Sequence, residues 1–480
     1  MSAHQSLEVG NRMYINGEFV VGKHDNAIDV LDKYHLNTLE TIPLATDDQI
    51  ENAVNSADKA FAPLKKLTIS QRSDALFQLA QIMQDRKEQL VAIIIAEAGK
   101  PRDYAATEID RCITTVKAAA AQALSFGGEY VPVDMGAGQG KTAYTIRKPK
   151  GPVLAISPFN FPLNLALHKV APAIAVGCPV ILKPSSKTPL SAIILGEMFN
   201  ELDLPKGSLN VVICTNDQAE IIVKDERIRF VSFTGGDGVG WHLKSLVNKK
   251  SVALELGGNG AALVSSSANI TSAAKGLAKG AFLYAGQICI STQRIYVVEA
   301  QYDEFIAAFK SATESLGIGD PNNSGIQVGP LISSDAYDRV AQLVSEAKEH
   351  GAKILYEGVG DSKKNIYPPT ILTNVKSSLA IVQDEAFAPI VVIESVDTFA
   401  QGIQAINDSK YGLQAGVYTF DTRELKQAHE QLDMGGVIIN SPPGFRVDVM
   451  PYGGVKDSGH GREGPKYAMQ EMTEPCLLVF

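Results

Sequence analysis

The stretch that decides the fold is Pro152-Val153-Leu154-Ala155-Ile156-Ser157-Pro158-Phe159-Asn160-Phe161-Pro162. Val153 to Ile156 is a short apolar run that halts at a Ser-Pro pair, and the helix-like segment Leu163 to Val176 follows it. The pattern then repeats: Pro179 to Leu182 is apolar, Thr188 to Glu201 helix-like, and Leu209 to Cys214 and Ile228 to Phe233 are further apolar runs. Strands without polar alternation are buried on both faces, and strands separated by helices imply parallel βαβ units. The expectation is an α/β protein with a doubly wound parallel sheet.

Downstream, a second alternating series begins with Ser251 to Leu254 and Ala261 to Ser265. It continues through a helix near Ile270 to Ala285, the strand Arg294 to Glu299, and helices near Tyr302 to Leu316 and Ser334 to His350. This predicts a second α/β domain meeting the first near Lys250. Upstream, Thr46 and Gln49 fit a capping box opening a helix through Phe61. Ser70 to Ala98 carries Leu76, Leu79, Met83, Leu90 and Ile94 at helical spacing, with Gly99 and Pro101 as the stop. Gly127, Gly128, Gly136, Gly138 and Gly140 mark an exposed loop or hairpin.

The chain has 480 residues, with Lys+Arg 44 and Asp+Glu 53, so the formal net charge is 44 − 53 = −9. At roughly 150 residues per domain, about three domains are expected. A mildly acidic chain without a basic stripe is not a nucleic-acid or anionic-membrane binder. Its longest clear apolar run, Leu90 to Ala96, is far short of the ~18 residues a membrane span needs. Met1 to His4 show neither a charged nor an apolar leader region, so a cytoplasmic protein is expected. The 5 cysteines, at positions 112, 178, 214, 289 and 476, include no C-x-x-C pair. That argues against a disulfide framework or a metal site and leaves the question of a single nucleophilic thiol.

Four local patterns carry chemistry. Asn160, after a strand and before a helix, either aims its amide at a developing oxyanion or caps the helix. Phe233-Thr234-Gly235-Gly236-Asp237-Gly238-Val239-Gly240 lets a dinucleotide approach the backbone and sets its pyrophosphate near a helix start, although it is not a G-x-G-x-x-G fingerprint. Glu255 closes an apolar strand, where a carboxyl has a raised pKa suited to a general base or else is a structural acid bonded to backbone. Cys289, in Gly286-Gln287-Ile288-Cys289-Ile290-Ser291, is either a nucleophile or a packing residue.

In this order the four patterns resemble the aldehyde dehydrogenase superfamily. The resemblance continues through Lys183-Pro184-Ser185-Ser186, Glu385-Ala386-Phe387-Ala388-Pro389, Pro451-Tyr452-Gly453-Gly454-Val455-Lys456-Asp457-Ser458-Gly459 and Gly461-Arg462-Glu463. It implies two doubly wound parallel-sheet domains, one for cofactor and one for catalysis, plus a small β oligomerisation flap. The implied boundaries are 1–126 and 147–252 for NAD(P) binding, 253–451 for catalysis, and 127–146 with 452–480 for assembly into a homodimer or homotetramer.

The resemblance also implies roles. Cys289 attacks the aldehyde, Asn160 and the Cys289 N–H hold the oxyanion, and Glu255 activates water, with Glu463 a second carboxylate for proton traffic. The cofactor, NAD or NADP, falls to Ser157, Phe159, Lys183, Ser185, Ser186, Gly235, Gly236, Gly240, Leu256, Glu385 and Phe387. Many NAD-preferring members carry Glu where this chain has Ser186; a serine repels no 2′-phosphate, so both cofactors are admissible. Gly236 stands where a serine is frequent. Members that acylate coenzyme A generally lack the glutamate at position 255, so water is the expected acceptor and a carboxylate the product.

The segments around Cys289 and Phe445 to Gly454 resemble the branch containing lactaldehyde, sulfolactaldehyde, phosphonoacetaldehyde and non-phosphorylating glyceraldehyde-3-phosphate dehydrogenases. The expected substrate is a small polar aldehyde, lactaldehyde first, with an anionic aldehyde of that branch or succinate semialdehyde as the alternative. Arg111, His168, Arg294 and Arg446 are the candidates for the tunnel mouth. The competing structural readings pair Arg111 with Glu108 or Asp110 and make Arg294 a strand anchor. An inert scaffold would predict damage at Cys289, Glu255 or Asn160, and all three residue types are intact.

Overall fold

Val153–Ile156 lies inside an eight-stranded sheet of the computed structural model, which describes residues 10–480. The expectation drawn from Met1 to His4 lies outside the described residues. The strand order is Glu18–Val20, Met13–Ile15, Leu209–Val211, Val180–Lys183, Val153–Ile156, Phe230–Thr234, Ser251–Glu255 and Gly459–His460. The run from Leu209–Val211 to Ser251–Glu255 is parallel, and antiparallel strands close both edges. Chain order reverses between Val153–Ile156 and Phe230–Thr234. Beyond the carboxyl ends of such a pair a crevice opens, where doubly wound folds place ligands. The Asn160 segment and the Gly235-Gly236 turn leave these two strands.

One expectation changes here. Ser251–Glu255 does not begin the second series; it pairs in register with Phe230–Thr234, Thr234 opposite Glu255. An apolar strand buried on both faces needs neighbours on both sides, and the first sheet supplies them. A boundary after 252 therefore falls inside this strand. The second sheet runs Lys353–Glu357, Thr370–Thr373, Ile390–Val396, Arg294–Val298, Ala261–Val264, Gln414–Tyr418 and Gly436–Ile439, parallel except at its first pair.

The capping box at Thr46 and Gln49 opens the helix Asp47–Lys66. The long helical stretch upstream of Gly99 is two helices, Ile69–Asp85 and Lys87–Ala98, broken at Arg86 with φ −97° and ψ 13°. The apolar spacing continues across the break because both helices bury a face in one core. Gly99 ends the second in the left-handed region, φ +66°.

The segment 452–480 divides. Gly459–His460 extends the first sheet, and the helix Pro465–Glu471 packs on Asn164–Val176 and Arg102–Ser125. Thr473–Val479 instead pairs antiparallel with Ala143–Pro149, which also pairs with Tyr130–Val131. This three-stranded sheet exposes Tyr130, Tyr144, Ile146, Leu477, Leu478 and Phe480. Among the described residues no helix is long and apolar enough to cross a membrane.

Candidate active site

The helix Ile270–Phe282 ends in a tight turn in which Tyr284, Ala285 and Gly286 all have positive φ, 52°, 54° and 68°. Non-glycine residues are seldom held there unless tertiary contacts impose it. The Tyr284 hydroxyl donates to Ala98 O at 2.8 Å. A Cβ on Gly286 would stand 2.1 Å from Ala388 O, so glycine is required. Gln287 fastens the next residue, donating to Tyr284 O and Pro330 O and accepting from the Ile332 N–H. The turn delivers Cys289 to the wall of a cavity of about 130 Å³. Burial pushes its thiol up, partly opposed by a hydrogen bond with Tyr452, whose Oη lies 3.0 Å from Sγ.

Asn160 meets the same turn from the first sheet. Its Nδ2 donates to Gln287 O at 2.9 Å, and its Oδ1 accepts from the Phe161 N–H at 3.1 Å. An amide nitrogen has a second N–H, and this one is bonded to no other protein group among the described residues. Glu255 ends the central-sheet strand and is 4 % exposed, its Oε2 without a hydrogen-bond partner. Burial first, then the neighbouring charge of Glu463, raises its carboxyl well above the usual range. Against its own burial, Lys169 and Arg446 hold Glu463 well below that range. Lys169 Nζ is 2.9 Å from Glu463 Oε1, and Arg446 Nη2 is 3.0 Å from Oε2. Two buried carboxyls in one neighbourhood are thus driven apart, the pattern that separates an acid or base in waiting from a permanent anion.

At the switch point, Gly236 caps the helix Asp237–Leu246, with open space where its Cβ would be. The Gly235 N–H donates to Glu255 O at 3.1 Å, tying this turn to the strand that ends in Glu255. A Cβ on Gly240 would come within 2.2 Å of Leu256 Cδ2, so only glycine lets this helix lie so close to the strand end. Ser157 Oγ is buried without a partner, and burial lowers the Lys183 ammonium. Ser185 is half-buried, its hydroxyl accepting from the Lys187 N–H, and Ser186 is exposed. Glu385 accepts from the Gly258 N–H at 3.1 Å and is raised to about 8 by burial. Phe387, with φ +50°, sits edge-on to Phe159 at 5.7 Å between ring centroids. An unpartnered hydroxyl, a free helix start and a left-handed aromatic gathered at a switch point fit a dinucleotide.

Lys100, Arg111, Phe161, Cys289, Arg446 and Tyr452 line the cavity, with Glu108 as its one carboxylate. Lys100 pairs with Glu108 and lies 3.6 Å from the Phe161 ring centroid. Arg111 makes a bidentate pair with Asp448 at 3.1 and 2.8 Å. Arg446 stacks on Tyr452 at 3.7 Å. Asp448 and Glu463 stand behind their arginines, outside the lining.

Of the four residues expected at the tunnel mouth, Arg111 and Arg446 line the cavity. His168 is behind the wall, 1 % exposed, its Nε2 2.9 Å from Asp448 Oδ1, and burial lowers its pKa. Arg294 is away from the cavity: it bonds Asn259 O, Asn259 Oδ1, Ala405 O and Ile406 O within the second domain. A buried guanidinium must satisfy its donors, and backbone carbonyls satisfy these. Arg111 pairs with Asp448, 337 residues away, and not with Glu108, which Lys100 holds, or Asp110, which Lys87 holds.

Tyr452, Asp448, Lys169, Lys100 and Phe161 belong to the site without having been singled out in the sequence. One signal was readable: Lys169 interrupts Asn164–Val176, a helix buried on every side, and a charge in such a helix requires a partner.

A family model described as the aldehyde dehydrogenase family matches residues 19–476. The chain is 40% identical over 473 residues to the 3-sulfolactaldehyde dehydrogenase of Priestia aryabhattai, covering 97% of each. It is 36% identical over 474 residues to the lactaldehyde dehydrogenase of Methanococcus maripaludis, covering 97% of this chain and 99% of that one. The crystal structure of glyceraldehyde-3-phosphate dehydrogenase GapN from Methanocaldococcus jannaschii, complexed with NADP, superposes with a TM-score of 0.91 at 36% identity. That match covers 95% of this chain and 100% of GapN.

Proposed function

We propose that this chain, which belongs to the aldehyde dehydrogenase family, oxidises a short polar aldehyde to its carboxylate with NAD or NADP, through a covalent adduct on Cys289. The observation that carries this is the gathering of three groups from separate segments: the Cys289 thiol in the cavity wall, the Asn160 amide bonded to the turn that carries it, and the buried Glu255 carboxyl, whose charge acts on that thiol.

Cys289 attacks the carbonyl carbon, and the carbonyl π pair moves onto oxygen. The Asn160 amide and the Cys289 N–H receive that oxyanion; one such donor is worth about 3 kcal/mol of barrier. The chemistry the dinucleotide supplies when bound is acceptance of the aldehyde hydride. Ser157, Phe159, Lys183, Ser185, Ser186, the Gly235 to Gly240 turn, Leu256, Glu385 and Phe387 would hold it. Departure of the hydride leaves a thioester on Cys289; Glu255 takes a proton from the water that cleaves it, the sulfur leaves as thiolate, and that thiolate regains a proton as the carboxylate is released. The permanent charge of Glu463 beside it favours the protonated state once the proton has been taken.

The cavity favours an anionic aldehyde. Its lining carries Lys100, Arg111 and Arg446 against Glu108 alone, and the other carboxylates that balance the arginines are turned away from the substrate space. Arginine suits sulfonate, phosphate or carboxylate geometry. This moves a sulfolactaldehyde-like substrate ahead of lactaldehyde, the first expectation from sequence; the names of the relatives include both. The exposed apolar face of the small sheet supports assembly into dimers or tetramers through this flap.

The test is a kcat/KM panel of lactaldehyde, sulfolactaldehyde, phosphonoacetaldehyde, glyceraldehyde 3-phosphate and succinate semialdehyde with each cofactor. An anionic three-carbon aldehyde should lead; equal turnover of charged and uncharged aldehydes would refute the anion preference. Cys289→Ala should abolish aldehyde-dependent reduction of the cofactor, and activity that survived it would refute the nucleophile.

A further inference from the structure

Tyr452 follows Pro451 in a segment whose backbone pairs with Glu463, Tyr452 N to Glu463 O and Glu463 N to Tyr452 O. It is 3 % exposed and packs with Ile290 and Leu413, with Cys289 and Ile288 against that cluster. Its Oη is 3.0 Å from Cys289 Sγ. Its ring is covered by the Arg446 guanidinium at 3.7 Å, whose charge withdraws electron density from the phenol. A phenol O–H is a much better donor than a thiol S–H, and a thiolate a much better acceptor than a thiol. The partnership is therefore strongest with the proton on Tyr452 and the charge on Cys289. Next along the chain, Gly453 faces Glu255: a Cβ there would stand 2.8 Å from Glu255 Oε1. One backbone turn thus faces both the thiol and the carboxyl.

We infer that Tyr452 is a catalytic residue, its hydroxyl donating a hydrogen bond to the Cys289 sulfur that stabilises the thiolate facing the cavity. This rests on the reading of Cys289 as the nucleophile. The charged and titratable groups facing the thiol are Glu385 and Glu255, which disfavour its ionisation, and Arg446 and Tyr452, which favour it. After burial, the Tyr452 hydrogen bond is the largest of these influences. The thiol proton leaves to water entering the cavity, and Tyr452 keeps its own. In the attack a sulfur lone pair forms the S–C bond while the carbonyl π pair moves to oxygen. The sulfur then becomes a poor acceptor, so the hydrogen bond weakens along the reaction coordinate. Tyr452 raises the thiolate population and tempers the reactivity of each thiolate.

That trade-off has a signature in the pH profile of iodoacetamide inactivation. Tyr452→Phe keeps the ring and its stack with Arg446 and removes one oxygen. Its inactivation midpoint is expected about one pH unit higher, the tenfold in acidity that a hydrogen bond to a charged group can supply. With a Brønsted coefficient of about 0.4–0.5, each thiolate becomes about threefold more reactive. The neutral-pH rate should fall about threefold and the alkaline plateau rise about threefold. Tyr452→His, which restores a ring N–H donor, should have a midpoint between the two. A midpoint unmoved in Tyr452→Phe, or a fall on both limbs together, would overturn the inference. Labelling assigned to Cys289 by comparison with Cys289→Ser tests the underlying reading separately. If full labelling leaves aldehyde oxidation intact, the nucleophile is wrong; if it abolishes oxidation while the midpoint stays put, only the role of Tyr452 fails.

Discussion

Replacing Asn160 by alanine separates two things the side chain does. Nδ2 donates to Gln287 O at 2.9 Å and Oδ1 accepts from the Phe161 N–H at 3.1 Å, so truncation leaves one carbonyl and one N–H without partners. Each such group costs about 1–3 kcal/mol when fully buried, and Phe161 is half-buried, so the sum is about 2–4 kcal/mol. In a chain this long that lowers the melting temperature by a few degrees and leaves the enzyme folded at ambient temperature. Loss of the proposed oxyanion donor should cost more where it matters, about 10²–10³ in kcat, or about 2.7–4 kcal/mol of barrier. Asn160→Asp keeps the acceptor for Phe161 but loses the donor and sets a charge against the oxyanion, so it should be at least as inactive. The assay is steady-state cofactor reduction alongside iodoacetamide labelling of Cys289. Expected is a fall of at least a hundredfold in kcat with labelling little changed. If turnover and labelling fall together, Asn160 serves the Cys289 turn through Gln287 and the oxyanion argument is wrong. If both variants turn over within a few fold of wild type, neither role stands.

Other outcomes follow from the same geometry. Arg111→Leu should lower kcat/KM for an anionic aldehyde about 10–100-fold more than for lactaldehyde, as expected for one charge-assisted contact of about 1.5–3 kcal/mol; equal losses would mean that Arg111 only braces Asp448. Glu255→Gln should release a burst of reduced cofactor and then stall, seen in stopped flow, because the thioester forms but its water is not activated; undiminished steady-state turnover would remove Glu255 from that step. Since Glu255 must be ionised and burial raises its pKa, wild-type thioester hydrolysis should speed up as pH rises through a value above the usual ~4.3; a rate flat across that range counts against it. For stability the signs oppose: Glu255, raised on folding, contributes at low pH and loses that contribution as pH rises, whereas Glu463, lowered on folding, contributes above its unfolded value and loses it as pH falls. Lys169→Met leaves Arg446 as the remaining partner of Glu463 and should cost about 2–3 kcal/mol at neutral pH, less than the full price of a broken buried pair. That deficit, read by denaturant melts, should shrink once the pH falls below the usual carboxylate range and Glu463 takes up a proton in the variant before it does in the wild type; a deficit constant down to that range would show that packing, not charge, is lost.

Much of the architecture was legible because burial writes itself locally. A strand covered on both faces must be apolar throughout, so Val153–Ile156 and Phe230–Thr234 could be read residue by residue, and the glycine at position 99 announced its helix end. The family resemblance rested on short stretches such as those around Asn160, Glu255 and Cys289, each next to a strand end or turn. The sheet that receives Ser251–Glu255 was not legible, because an apolar strand specifies that it has neighbours without specifying which. Nor was the break at Arg86, since the apolar face continues through it.

By itself the sequence determined an α/β chain and set an amide, a carboxyl and a thiol at strand ends and a turn, where the family resemblance leads one to expect covalent chemistry on a carbonyl. What only the tertiary structure decided was the partner of each charge. Arg111, Arg294 and Arg446 are chemically identical, yet the first and last line the cavity while Arg294 is spent on the carbonyls of Asn259, Ala405 and Ile406. His168 and Lys169 are adjacent in sequence, yet one faces Asp448 and the other Glu463. The physical reason is that burial energy follows local composition, whereas the sign and strength of an electrostatic environment are set by distances of a few ångströms between residues hundreds of positions apart. Glu255 and Glu463 show this most directly: two glutamates of one neighbourhood, one raised and one lowered, separated by which of them Lys169 and Arg446 reach.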